Sequence, residues 1–227
     1  KKKKKNVFLF FLISGGGSAL LSLPSSNIRL QEKQAVTKAL LHSGATISEI
    51  NCVRTHMSDV KGGRLGVACY PAQVLTLAIS DVPGDNPAII ASGPTVADPT
   101  TFSDARNILL KYDIETPKRV LSHLKMAVEE SPKLGDYRLK NTATHIIAKP
   151  AKSLEAAAAT ARKAGYTPLI LGDSLEGNSS VLAKKHAKIA SDIAPGTILL
   201  SGGETTVVVK GDGRGGPNTE YALTLAQ

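Results

Sequence analysis

Apolar positions along this chain follow two periods, and each period marks a different kind of element. Residues 7–13, "VFLFFLI", form an unbroken apolar run of strand length that feeds into the glycine-rich "SGGGSALLSLP". In "LQEKQAVTKALLHSG" the period changes, with Leu30, Val36, Leu40 and Leu41 at helical spacing and Gly44 as the stop. Thr46 and Glu49 in "TISE" have capping-box spacing and predict a second helix through Ile50, Val53 and Met57. A buried strand, "AQVLTLAIS", is then broken by "DVPGDNP". Asp81 and Asp85 therefore stand just past the C-terminal end of a strand, where open α/β sheets bind their ligands.

A second Gly/Pro-rich loop, "IIASGPTVADP", precedes a helix from Ser103 through Ile108 to Tyr112. The pattern weakens between Pro117 and Leu139, and the charged "EESPKLGDYRLKN" reads as an inter-domain connection. Alternation then resumes with strand "THIIAK", helix "SLEAAAATARKAG", strand "TPLIL", loop "GDSLEG", helix "VLAKKHAKIASDI" and strand "TILLS". "GGETTVVVK" and "GDGRGG" follow, the latter opening a helix near Asn218 with Pro217 in its first turn. Strands spaced by helices imply parallel βαβ units and an α/β fold.

Composition narrows the function classes. The formal charge is +9, but the five lysines at residues 1–5 carry much of it; removing them from 28 Lys+Arg leaves 23 against 19 acidic residues, a balance of +4. No second basic cluster interleaved with aromatics follows, which argues against nucleic acid and suits a small anionic substrate. Cys52 and Cys69 lack any metal-ligand spacing and read as two buried thiols of a reducing, cytoplasmic compartment. A seven-residue apolar run is too short to span a membrane. The lysine run followed by apolar and small residues also has the outline of a secretory signal peptide, so the first 26 residues carry two readings. With no initial Met and an end inside a helix, the sequence reads as an internal portion of a longer protein, truncated at both ends.

Four motifs carry candidate chemistry. Ser14, Gly15, Gly16, Gly17 and Ser18 lie between a strand and a helix, where backbone N–H groups can meet an anion. Their spacing fits neither a Walker A loop nor a nucleophile elbow. Lys61 and Arg64 in "KGGRLG" are cationic donors set among glycines that allow close backbone approach. Asp81 and Asp85 offer hard oxygen ligands for Mg²⁺ or a contact to a substrate hydroxyl, and equally serve ordinary turn chemistry. "GDGRGG" satisfies G-x-G-x-x-G literally, a weak dinucleotide signal. His56 and His123 read as ordinary packing or surface histidines, and "KKHAK" as a solvated helix face.

Five ordered stretches, "FLISGGGSALLSLP", "CVRTHMSDVKGGRL", "ISDVPGDNPAIIASGPTVADP", "LGDSLEG" and "ILLSGGETTVVVKGDGRGGPNTEYALTLA", resemble the glycerate 2-kinase family, whose last segment is the MOFRL domain. Some members carry the older name hydroxypyruvate reductase. The resemblance implies a Rossmann-like three-layer domain with a mostly parallel sheet over residues 1–135. A second α/β domain would take 136–227, with the MOFRL segment from about residue 196. It implies ATP-dependent phosphorylation of D-glycerate to 2-phosphoglycerate with Mg²⁺, in a cleft between the domains, and leaves a homodimer open. Lys61, Asp81 and Arg214 are the implied catalytic residues. Residues 14–18, Arg64, Asp85, Ser92, Gly93, Glu204, Asn218 and Glu220 are the implied substrate or nucleotide contacts, and Asp81 and Asp85 the implied metal ligands. Two departures stand out. A lysine implied to be catalytic lies upstream of Lys1, and Pro217 occupies the place of a family arginine, leaving Arg214 as its candidate substitute. The alternatives are an NAD(P)-dependent hydroxypyruvate reductase and an inactive anion-binding fragment. On this resemblance, residues 7–21 are an internal strand and loop, and the signal-peptide reading loses its support.

Overall fold

The computed structural model describes residues 7–14, 16–80, 82–208 and 213–227. Two compact units divide at Ile147 and Ala148. In the first, β1 (Phe8–Ile13), β2 (Gln73–Ile79) and β3 (Thr142–Ala148) form a sheet in that order. β1 and β2 are parallel, paired from Phe8 with Gln73 to Ile13 with Ala78. Alternation sorts the two faces. Val74, Thr76 and Ala78 are buried on one face, where Thr76, Thr95 and Thr144 join hydroxyls at 2.8 and 3.3 Å. Phe8, Phe10, Leu12, Ile79 and Ile147 stay exposed.

The main core of this unit is helix on helix. It gathers α2 (Leu30–His42), α3 (Ile47–His56), α5 (Phe102–Lys111) and α6 (Lys118–Met126), with short α1 (Gly17–Leu20) and α4 (Arg64–Cys69) beside the loops. Val36 and Leu40 are fully buried as the α2 stripe predicts, whereas Leu30 and Leu41 face outward. The "TISE" box forms: the Glu49 N–H donates to Thr46 Oγ1 at 3.3 Å and the Thr46 N–H to the Glu49 carboxylate at 2.9 Å. Thr101 and Asp104 build the same arrangement at the start of α5. α6 occupies part of the stretch where the pattern weakens, and buries only Val120 and Leu124 among basic neighbours.

Segment 129–141 packs within the first unit. Its Asn141 carbonyl accepts from Val74 N–H at 2.9 Å, and the following strand is β3 of the first sheet. A charged, Pro/Gly-rich composition reads as a connection, but here its polar groups find partners on α3 and the 98–102 loop.

The second unit pairs β4 (Thr167–Asn178) with β5 (Thr197–Thr206) in parallel, against α7 (Pro150–Lys163), α8 (Ser179–Asp192) and α9 (Pro217–Leu225). "GDSLEG", read from sequence as a loop, continues β4 through register shifts between Ile170, Gly172 and Leu175. Bulges of this kind keep pairing while bending the strand, and glycine supplies the backbone angles they need.

Gly63 shows what the first unit demands of its glycines. Its φ is +80°, and an added Cβ would lie 2.8 Å from Val96 O and 2.7 Å from Pro132 Cγ. Gly44 has the same φ of +80° with nothing within 4 Å. Gly63→Ala should cost about 2–4 kcal/mol in urea unfolding, combining backbone strain with overpacking, against about 1 kcal/mol for Gly44→Ala. Equal losses for the two variants would show that close approach contributes nothing.

Candidate active site

Two loops are joined edge to edge. Gly62 N–H donates to Ser92 O at 2.9 Å, Gly63 N–H to Gly93 O at 2.7 Å and Gly66 N–H to Pro94 O at 3.1 Å. The "KGGRLG" glycines thus approach the backbone of the second loop closely. That loop carries three consecutive left-handed residues, Ala91, Ser92 and Gly93, with φ of 52°, 61° and 56°. Two of them bear side chains, at a cost of about 1–3 kcal/mol each, and such strain concentrates where a side chain must be aimed.

Ser92 is aimed at the glycine-rich loop. Its Oγ lies 2.8 Å from Ser18 Oγ. Gly17 opens α1, and a Cβ there would stand 2.9 Å from the Ala91 Cβ, so the two loops touch through their smallest groups. The Ser18 carbonyl accepts two cations, Arg54 Nη2 at 2.7 Å and Lys61 Nζ at 2.8 Å. Lys61 Nζ also lies 3.5 Å from Ala91 O and from Ser92 Oγ. One ammonium thus ties the loop after β1 to the left-handed loop.

This ammonium is fully buried. Burial, then the charges of Arg54 and Lys33, bring its pKa down to about 7. Lys33, on α2 and only 5% exposed, is brought down to about 8 by burial and by Arg54, with Asp59 acting in the opposite direction. Burial also lowers Arg54. Among the described residues, Lys33, Arg54 and Lys61 therefore form a desolvated basic corner, with Asp59 opposing at Lys33. Sequence reasoning missed Lys33 and Arg54. The signal was Lys33's place three residues before Val36 and seven before Leu40, on the core-facing stripe.

A second polar centre lies beside the Gly62–Gly63 turn, and here acids dominate. Buried His56 has Nδ1 2.9 Å from Cys52 O and Nε2 3.1 Å from Glu130 Oε1. Arg64 belongs to this side: its Nη2 donates to Glu129 O at 3.1 Å and its guanidinium lies 5.9 Å from the Phe102 ring centre. Burial lowers the Arg64 pKa, while Asp59, Glu130, Asp98 and Glu129 act in the opposite direction and favour its charge.

Ser14, Gly16, Gly17, Ser18, Lys61, Ser92 and Gly93 are thus gathered at one place, while Arg64 turns toward residues 129–130. Ser14 and Gly17 line a cavity of about 370 Å³ together with Leu65, Ala91 and Pro94. Asp85 ends a tight turn with φ of 53°. Gly15 and Asp81 lie outside the described residues. In the second unit, Arg214 and Glu220 line a hollow of about 700 Å³, where Ser180 Oγ donates to Glu220 at 2.6 Å. Asn218 lines a neighbouring hollow of about 200 Å³ with Tyr221, whose hydroxyl lies 2.6 Å from His186 Nδ1. Glu204 is exposed on β5, paired in register with Glu176. Among the described residues, no group of three or more His, Cys, Asp or Glu could hold a metal ion, no disulfide joins Cys52 and Cys69, and no helix is long and apolar enough to cross a membrane.

The chain matches the family described as Domain of unknown function (DUF4147) over residues 1–125 and the MOFRL family over residues 197–227. It is 49% identical over 219 residues to an Agrobacterium vitis protein named "Putative hydroxypyruvate reductase", covering 92% of this chain and 49% of that protein. Identity is 43% over 225 residues to a Pyrococcus horikoshii "Glycerate 2-kinase", covering 93% of this chain and 50% of the relative. The crystal structure of a Thermotoga maritima glycerate kinase superposes with a TM-score of 0.83 at 40% identity, covering all of this chain and 55% of that one. The chain thus spans about half the length of the curated relatives it matches. With the DUF4147 match over more than half its length, a MOFRL match at its C-terminal end and a mixed α/β fold shared with a glycerate kinase, the chain belongs to the DUF4147 family.

Proposed function

We propose that the complete protein is a glycerate 2-kinase, transferring the γ-phosphoryl group of ATP to the 2-hydroxyl of D-glycerate in the cytoplasm. The observation that carries the reading is the joint of Ser18, Ser92 and Lys61, in a chain 40–43% identical to proteins named for this activity. Direct phosphoryl transfer needs little covalent chemistry from the protein and much positioning of anions. The glycerate hydroxyl oxygen forms the new bond to phosphorus, the bond to the ADP oxygen breaks, and the hydroxyl proton passes to solvent. Lys61 and Arg54 fix the backbone of the glycine-rich loop, and Ser18 and Ser92 present hydroxyls beside it.

Mg²⁺ is usually held by one or two carboxylates and the substrate phosphates. Asp81 and Asp85 are the proposed carboxylates, and the metal when bound would neutralise phosphate charge. Arg214, Glu204, Asn218 and Glu220 are the contacts proposed for the second unit. A coupled assay on the complete protein tests the reading. ADP release that requires D-glycerate supports it. Oxidation of NAD(P)H by hydroxypyruvate without ADP release would assign the reductase activity that one relative's name carries.

A further inference from the structure

We propose that Lys33 is an anion-binding residue, making the direct contact to a carboxylate or phosphoryl group while Arg54 and Lys61 supply the surrounding positive field. The inference rests on the kinase reading for its choice of ligand and deepens it by naming a recognition residue. Lysines on a core-facing stripe normally run their stems along apolar surface and keep the ammonium in water. Lys33 does not: it is 5% exposed, and its Nζ is buried without a hydrogen-bond partner among the described residues. Arg54 and Lys61, the two cations coupled to Lys33, both donate to the Ser18 carbonyl.

The charges acting on Lys33 leave a surplus. Arg54 from α3 opposes its protonated form and Asp59 from the following loop favours it; Lys33 and Arg54 in turn both oppose the protonated form of Lys61. Among the described residues, positive side chains thus predominate over Asp59 in a buried place when the lysines are protonated. An uncompensated buried charge costs several kcal/mol. The cost is relieved either by loss of the proton, the direction in which burial moves Lys33 and Lys61, or by an entering anion that keeps the proton in place. Of the Ser18–Ser92 hydroxyl pair, joined at 2.8 Å with Ser92 Oγ 3.5 Å from Lys61 Nζ, one O–H donates within the pair and the other is left to donate to that anion. Substrate and nucleotide both offer the required chemistry, a carboxylate in one and phosphoryl oxygens in the other.

The test uses the complete protein, with D-glycerate and sulfate as probes, because neither titrates between pH 7 and 9. Thermal unfolding should shift upward with one or both in the wild type; sulfate alone assigns the site to a phosphoryl group and glycerate alone to the carboxylate. Lys33→Met should weaken the effective probe at least tenfold, yet leave the unliganded Tm unchanged or higher, because it removes an uncompensated charge. A residue with a purely structural role would instead lower the unliganded Tm. Should Lys33→Met not fold, the wild type still decides. Deprotonation of Lys33 and Lys61 in the unliganded state should weaken binding about tenfold or more from pH 7 to pH 9. No shift with either probe, an unaltered affinity in Lys33→Met, or a flat pH profile would each overturn the proposal. Glycerate-dependent ADP release alongside such a result would leave the kinase reading standing, and anion binding without that release would sink the kinase reading alone.

Discussion

On the proposed kinase reading, Lys61→Met in the complete protein should reduce glycerate-dependent ADP release by on the order of 10²–10³ in kcat/KM, the loss expected when one pre-positioned donor is removed from a phosphoryl-transfer site. Methionine keeps the length and volume of the stem but cannot donate. The Ser18 carbonyl would retain Arg54 at 2.7 Å, and Ser18 and Ser92 would retain each other at 2.8 Å. What disappears is the ammonium that links both loops at once. Folding should not suffer in proportion. A buried lysine whose pKa has fallen from 10.5 to about 7 is a destabilising group below that value, and the penalty is relieved as pH rises from about 7 to 10.5. The methionine variant should therefore match or exceed the wild-type Tm at pH 7, the difference shrinking toward pH 10. Lys61→Arg should not restore turnover, since a planar guanidinium overfills a site closed around a single ammonium. Activity of Lys61→Met within threefold of wild type would remove Lys61 from the machinery.

The legible parts of the sequence were those governed by local rules. The "TISE" box, the apolar stripe of Val36 and Leu40, and β2 ending before "DVPGDNP" follow from spacing within a few residues. Nonlocal pairing was not legible. Nothing in "THIIAK" says that it joins the sheet of β1 and β2 rather than that of β4 and β5. Glycines misled in "GDSLEG", where Gly172 and Gly177, at φ of 144° and 115°, serve a bulged strand rather than a turn. At the site, glycine context singled out Ser18 and Lys61, but charged residues on helices read as solvated, and so Lys33 and Arg54 were passed over. His56 read as ordinary packing because its partner Glu130 lies 74 residues away.

That distant partnership underlies the second large effect, a loss of about 3–5 kcal/mol of stability in Asp98→Ala. Asp98 is 7% exposed and every oxygen is in use. Oδ1 accepts from Thr100 N–H at 2.9 Å and Thr100 Oγ1 at 2.7 Å; Oδ2 accepts from Ser131 Oγ at 2.8 Å and lies 3.7 Å from His56 Nε2. The Lys133 ammonium donates to Thr100 O and to Ser131 Oγ, drawing residues 130–133 onto the same point. Burial raises the Glu130 carboxyl, but N–H groups of Phe102 and Ser131 and the charges of His56 and Lys133 outweigh it and hold the group below its ordinary range. Alanine at 98 would leave three donors facing a void, the costly way to break such a network. Asparagine should cost about 1–2 kcal/mol, because its carbonyl can still accept from Thr100. For a chain of this size the alanine variant should melt roughly 6–20 °C lower, with an unchanged urea m-value if the transition remains two-state. The loss should reach the active site as well. An added Cβ at Gly62 would sit 3.1 Å from Asp98 Oδ2, so this carboxylate backs the turn that carries Lys61. A partly folded Asp98→Ala sample should accordingly lose kcat before it loses secondary structure. Stability within 1 kcal/mol of wild type would show that Ser131, Thr100 and His56 find other partners, and that the acidic centre does not brace the Lys61 turn.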